Sequence, residues 1–260
     1  MAVRNYVVPK GRVFIDLFLA NAIVGATTRG IGERYFGNTP GFSTSSSSEN
    51  LDHFDSDGGL KVKDESVQLS LDRTATMSCD NITDENLALF LQGDAATLTQ
   101  TVATAQVDTL TVKRGMYYQL GVSPGLPVGV RGISNVSVAI GATPVAMLTN
   151  YTVDAALGRI YIEDVAPGIA NNAVLTITYD RAANSRSQVI SGNRTIYGAI
   201  RIVADNPKGE NRDFYFPYVK LSPDGDFELK SDTWQTINFA IEILKKADAI
   251  SSIYIDGRPS

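Results

Sequence analysis

A chain of 260 residues, 43% hydrophobic and 20% charged, has the composition of an ordinary globular protein, long enough for one large β domain or two smaller ones, and this excludes wholesale disorder. A formal net charge of −5, without any cluster of Lys and Arg, excludes a protein that grips nucleic-acid phosphates through a basic patch. The single cysteine, Cys79, excludes an intrachain disulfide.

The opening residues MAVRNYVVPKGR lack the uninterrupted apolar region and the small-residue cleavage site of a secretory signal, so folding in a cytoplasm is expected. The longest apolar stretch, residues 13–26, is interrupted by Asp16 and Asn21 and falls short of the roughly 20 residues that span a bilayer. Residues 25–32 carry glycines without the Lys-Ser/Thr of a phosphate loop. Residues 43–59, STSSSSENLDHFDSDGG, are rich in Ser and Asp with few large apolar side chains, and read as a long exposed loop or hairpin tip rather than core. Beyond them Val67, Leu69 and Leu71 alternate with Gln68, Ser70 and Asp72, the pattern of a half-buried strand.

Thr83 followed by Asp84 and Glu85 has the form of an N-cap with acids in the first turn. Leu87, Phe90 and Leu91 then recur at helical spacing and Gly93 supplies a stop, which predicts a short amphipathic helix over residues 83–92 lying on one face of a sheet. From Met116 to Arg181 the texture shifts to Gly, Pro, Val and Ala, with short strands predicted at residues 135–140, 159–163 and 173–179. This marks an inserted β module, assigned residues 113–182, between a first part (1–112) and a second part (183–260) of one larger β domain.

The aromatic run Phe214, Tyr215, Phe216 and Tyr218 alternates faces, with Pro217 pointing to an edge strand or a bulge. Trp234 reads as a packing anchor. Ile237, Phe239, Ile241 and Ile243 alternate with Thr236, Asn238, Ala240 and Glu242; a helical stripe also fits, but β-branched content favours a strand. No internal repeat is visible. The predicted fold is mainly β: an antiparallel β-sandwich or part-barrel with one short flanking α-helix and the small inserted β module.

Catalytic constellations are thin. His53 is the only imidazole, and with Ser45 to Ser48 and Asp55 it sits in one Ser/Asp-rich segment rather than on a scaffold that would hold a triad. His53, Asp55, Asp57, Gly58 and Asp64 partly mimic a calcium loop, but the first ligand position holds His, and turn formation accounts for the Asp-Gly pairs. No catalytic residue, cofactor or metal is therefore assigned, and assembly or binding is expected instead. Sequons beginning at Asn81, Asn135, Asn150 and Asn193 are chance matches in a chain without an export signal.

Six segments in order, GRVFIDLF, ERYFGNTPGF, LDHFDSDGGLKVKDESV, DNITDENLALFLQG, YGAIRIVADNPKGENRDFYFPYVKLSPDGD and WQTINFAIEILK, resemble the major tail tube proteins of long-tailed bacteriophages. The resemblance spans most of the chain outside the middle module. It implies a virion protein, assembled in the host cytoplasm, whose copies form hexameric rings stacked into a tube through which double-stranded DNA passes without tight binding. The implied partners are other copies of the chain, tail tip and terminator proteins, and a tape measure protein, with no membrane. Three expectations accompany it. The segment carrying Ser45, Ser48, Asp52, His53, Asp55 and Asp57, with the N-terminal arm, reaches the adjacent ring; acidic side chains line the lumen; and the inserted module decorates the outside. Thr83, Asp84, Leu87, Phe90 and Leu91 form the flanking helix. The alternative function is a cell-surface or carbohydrate-binding β-sandwich module.

Overall fold

Alternation decides the architecture. In the first strand, Gly11–Leu17 (β1), Val13 and Ile15 point into the core while Arg12, Phe14 and Asp16 point away, and the same two-residue period recurs along the chain. These features belong to a computed structural model that describes residues 5–259 and divides into two compact units, 5–95 with 189–259 and Ala96–Gln188. The fold is mainly β and antiparallel, with one short helix among the described residues.

The first unit continues with Glu33–Tyr35 (β2), Gly41–Asp55 (β3), Val62–Cys79 (β4) and the helix Asp84–Phe90 (α1). Asp94–Gln100 (β5) carries the chain out of it. In the second unit follow Ala103–Val112 (β6), Tyr117–Gln119 (β7), Ile133–Ile140 (β8), Thr143–Val145 (β9), Tyr151–Asp154 (β10), Arg159–Ile162 (β11) and Ala173–Arg181 (β12). Asn184–Ile190 (β13) brings the chain back and pairs with β5. Ile196–Ala204 (β14), Arg212–Asp224 (β15), Ile237–Ile243 (β16) and Tyr254–Gly257 (β17) complete the first unit.

The first unit is a single sheet of order β2-β1-β14-β15-β16-β4-β3, with β17 added to β15. The sheet must curl. Phe42 on β3 and Phe216 on β15 stand three strands apart, about 14 Å in a flat sheet, yet their ring centroids are 5.8 Å apart. Phe36, just past β2, lies edge-on to Phe239 of β16 at 5.5 Å, although three strands lie between them in the sheet order. The two ends of the sheet thus fold toward one another around a shared core of Phe36, Met77, Phe216, Leu221, Phe239 and Ile241, each large side chain contributing on the order of 1.5–3 kcal/mol. In β16 Ile237, Phe239, Ile241 and Ile243 are all buried, which settles the strand over the helical stripe. Pro217 sits where β14 and β15 lose register between Gly198 and Ile200; it marks a bulge inside a central strand, not an edge.

Helix α1 covers this core as expected, capped by Thr83, whose side chain accepts from the Asn86 N–H. Leu87 and Phe90 pack on the sheet, but the fully buried positions are Asn86, Ala88 and Leu89, and Leu91 is exposed because it is already the C-cap. The stop differs in mechanism from the sequence reading. Gly93 N–H bonds to the Ala88 carbonyl (2.8 Å) and Gln92 N–H to that of Leu89 (3.1 Å), a Schellman closure in which Gln92, at φ 51°, takes the left-handed position. Gly93 is needed for space: a Cβ there would sit 1.7 Å from the Ile190 carbonyl oxygen.

The second unit is a small sandwich, a sheet of order β6-β12-β8-β9 facing a sheet of order β10-β11-β7 across a core that includes Leu120, Ile160, Ile162, Leu175, Ile177 and Tyr179. It begins at Ala96, not at residue 113, and ends at Gln188. The composition shift lags the boundary because β6, rich in Thr with one Gln and one Asp and free of Gly and Pro, pairs along its length with β12. Gln100 closes the unit's start: its amide nitrogen donates to the Arg131 and Ala182 carbonyls, both at 2.7 Å, and its amide oxygen accepts from the Arg131 N–H at 3.0 Å.

Trp234 is 94% exposed and is not a packing anchor. It lies in the turn-rich connection between β15 and β16, where Phe227 does the anchoring by packing on Phe90 at 5.7 Å. No helix among the described residues is long and apolar enough to cross a membrane.

Candidate assembly surface

Residues 43–59 are exposed and outside the core as expected, and of the two forms expected they take the hairpin, not the loop. Most of them are β3, which pairs with β4 at fifteen register positions from Gly41–Ser78 to Asp55–Val62, leaving only a short turn at the tip. Serine is compatible with this because the cross-strand ladder satisfies the backbone, and Ser43 Oγ also meets Thr76 Oγ1 at 2.8 Å. Two register shifts, between Glu49 and Asn50 and between His53 and Phe54, insert Leu69 and Asp64 as extra residues on β4 and bend the ribbon.

Along β4 the odd residues Ala75, Met77 and Cys79 enter the core. Leu71 continues that face, two residues beyond Arg73, and is exposed. The alternating run Val67, Leu69 and Leu71 is therefore not half-buried in the single chain. With Leu51, Phe54 and Val62 it makes six large apolar side chains, each 47–62% exposed, on one protruding hairpin. Leu51 stands opposite Val67 in the ladder. Isolated exposed leucines are commonplace, but six large apolar side chains on one hairpin, with Leu71 and Phe54 on one face of the ribbon and Leu51, Val67 and Val62 on the other, mark a contact surface.

The polar residues of the hairpin hold one another. Asp52 Oδ1 accepts from Ser66 Oγ and pairs with Lys63 Nζ, both at 2.6 Å, and these contacts, Lys63 first, hold its carboxyl below the usual carboxylate range. His53 Nδ1 lies 2.6 Å from Asp64 Oδ1 in an exposed position. Ser45 and Ser48 are five or more residues away along extended chain, at least about 16 Å from His53, so the hairpin brings neither of them to the imidazole. Asp55 Oδ1 accepts from the Asp57 N–H at 2.9 Å, an Asx turn at the tip. Among the described residues no group of three or more His, Cys, Asp or Glu is placed to hold a metal ion.

β3 is the terminal strand of its sheet, hydrogen-bonded on one side only, to β4. The opposite edge is β2, three residues long, preceded by an apolar connection (residues 18–32) in which Ile23 is 96% exposed. Asp16 fixes that connection by accepting from Gly30 N–H (3.0 Å) and Gly32 N–H (2.8 Å). One curled sheet thus presents two chemically different free edges, each beside unburied apolar side chains. Sequence reasoning missed the second edge. Its signal was apolar sequence running on past the length of β1, from Phe18 to Val24. Residues 1–4 of the N-terminal arm lie outside the described residues; residues 5–10 run beside the turn that joins β14 to β15, where Val8 N–H bonds to the Lys208 carbonyl at 3.0 Å.

Compared with known proteins, residues 6–252 match the model of a family described as "Protein of unknown function UCP028589". No curated protein matches the chain.

Proposed function

The chain belongs to this family, whose description names no activity, and we propose that it is a structural subunit whose copies join edge to edge into rings that stack as the tail tube of a long-tailed bacteriophage. One observation carries the reading: a fifteen-residue terminal strand, on a hairpin with six exposed apolar side chains, is paired to β4 on one side and has no partner along its outer edge among the described residues. A long free edge of this kind is an aggregation hazard in a monomer and a joining surface in an assembly. Because the two edges of the sheet differ, joining β3 of one copy to the β2 side of the next is a head-to-tail contact, which closes into a ring or propagates. Six-fold symmetry, stacking, the passing DNA and the tail tip, terminator and tape measure partners come from the resemblance of the ordered segments. The net charge of −5 supports a lumen that repels phosphate and lets duplex slide. In this reading the second unit is peripheral.

Negative-stain electron microscopy of the concentrated protein tests this, since weak homotypic contacts fill by mass action. Rings or tubes are the expected result; monomers at every concentration refute it. A second reading, a carbohydrate-binding module, is favoured by Tyr117 and Tyr161, paired directly across β7 and β11 with centroids 4.7 Å apart and Arg159 lying 4.5 Å above the Tyr117 ring. Glycan binding by a persistently monomeric protein is the outcome that selects it.

A further inference from the structure

At the base of the hairpin, on the first unit, lies an open groove of about 1040 Å³. Its floor is apolar, with Val13, Phe42, Ile202 and Phe214, and one wall is the arm of residues 5–10. Its charged rim is Lys10, Lys208, Arg212 and Glu210. Glu210 is taken up by Arg212 at 2.8 Å, while Lys10 and Lys208 carry no ion pair among the described residues. The groove thus offers an apolar floor under two free positive charges.

The far end of the hairpin has the opposite character. Residues 49–65 hold six carboxylates against two lysines, with Phe54 and Leu60 exposed between them. Asp57 at the very tip makes no ion pair among the described residues. Thr44, which lines the groove, and Asp55 belong to the same strand, eleven residues or about 36 Å apart. While the ladder holds, no hairpin can place its own tip in its own groove. The match in charge and polarity is satisfied only between molecules.

We infer that the tip of the β3–β4 hairpin, residues 52–63, of one copy seats in the groove beside Lys10 and Lys208 of a second copy, Phe54 and Leu60 meeting the apolar floor and Asp55 and Asp57 meeting the lysines. This deepens the self-assembly reading and rests on it. Each copy offers one tip and one groove, so the contact repeats from copy to copy with a step set by the hairpin's length. Its electrostatic part weakens with salt.

Charge exchange tests it in the full-length protein. The tip variant carries Asp55→Lys and Asp57→Lys; the groove variant carries Lys10→Glu and Lys208→Glu, all four at exposed positions. In sedimentation velocity each variant alone should need at least about tenfold more protein than wild type to form large species. The equimolar mixture and the chain carrying all four changes should both recover assembly, because every tip again faces a groove of opposite sign. Circular dichroism melts matching wild type guard against misfolding. Variants that assemble like wild type, or a mixture that fails to recover, overturn the seat and leave self-assembly standing. A wild-type chain that stays monomeric up to millimolar concentration overturns both.

Discussion

Asn86 is wholly buried beneath the flanking helix and spends its amide completely. The nitrogen donates to the carbonyls of Phe36 (2.8 Å) and Asn81 (2.9 Å), and the oxygen accepts from Arg34 Nη2 (2.8 Å). It thereby ties the helix to the strand before it and to the residues after β2. Replacement by alanine leaves the Phe36 carbonyl with only the weak Cys79 thiol contact, while the Asn81 carbonyl keeps the Thr83 N–H at 3.1 Å. It also removes the partner of a partly buried guanidinium whose charge is already disfavoured by burial. With about 1–3 kcal/mol for each buried group left without a partner, less about 0.5 kcal/mol regained because alanine is the better helix former, the net cost is about 3 kcal/mol. For a unit of this size that lowers the midpoint of thermal unfolding by about 6–12 °C. Asn86→Asp sharpens the test: it keeps the acceptor for Arg34 but sets a carboxylate against two carbonyl oxygens, so it should cost at least as much as alanine. Scanning calorimetry should show one transition moving while the other stays. A shift below about 2 °C for both variants, or an aspartate variant as stable as wild type, would refute the argument that the donated bonds hold the helix down.

Gly93→Ala should destabilise the first unit by about 2–4 kcal/mol, seen as a lower denaturation midpoint, since the added methyl meets a backbone oxygen that side-chain motion does not relieve. Trp234→Ala should leave melting within about 0.5 kcal/mol of wild type, because nearly all of the indole faces solvent; a larger loss would mean that it packs in solution. Burial, with the Asp108 carboxylate adding to it, pushes the Tyr179 phenol up to about 12, above its value of about 10 in the unfolded chain. The folded state therefore holds this proton more tightly, a stabilisation present in full below pH 10 and lost as pH rises through 12. Denaturation of wild type and Tyr179→Phe at pH 9 and pH 11.5 should show the larger alkaline loss in wild type. Asp213 is held below the usual carboxylate range, chiefly by Arg258, which ties down the strand β17. Acidification through that lowered value should loosen the C-terminal strand, and Arg258→Ala should remove the dependence, followed by hydrogen exchange at Tyr254 and Ile255.

Strand patterning was legible wherever one face is buried. Ile237 to Ile243 and Ala173 to Tyr179 carry two-residue alternation because the core demands it, and the structure keeps both as strands. The helix was legible through its cap, but its inward face was not, since nothing in the pattern marks a buried asparagine as the hub. Composition left loop and hairpin both open: serines on an extended ribbon look like either, because pairing with β4 is a property of the partner strand and not of β3. Val67, Leu69 and Leu71 pointed to a half-buried strand, and the strand is there, but all three are exposed because no surface among the described residues covers them. Trp234 fails in the same way, as size and hydrophobicity do not reveal whether a neighbour exists.

The chain departs for the second unit and comes back at adjoining positions: Gly192 N–H bonds to the Leu91 carbonyl at 3.0 Å and Arg194 N–H to that of Gln92 at 3.2 Å. A visiting cassette plugged into such a socket leaves the host's strand order uncut, because both its leads emerge side by side. The curled sheet thus keeps its strand order whatever the length of the cassette, and a direct splice of Gly93 to Gly192 should leave that sheet folded.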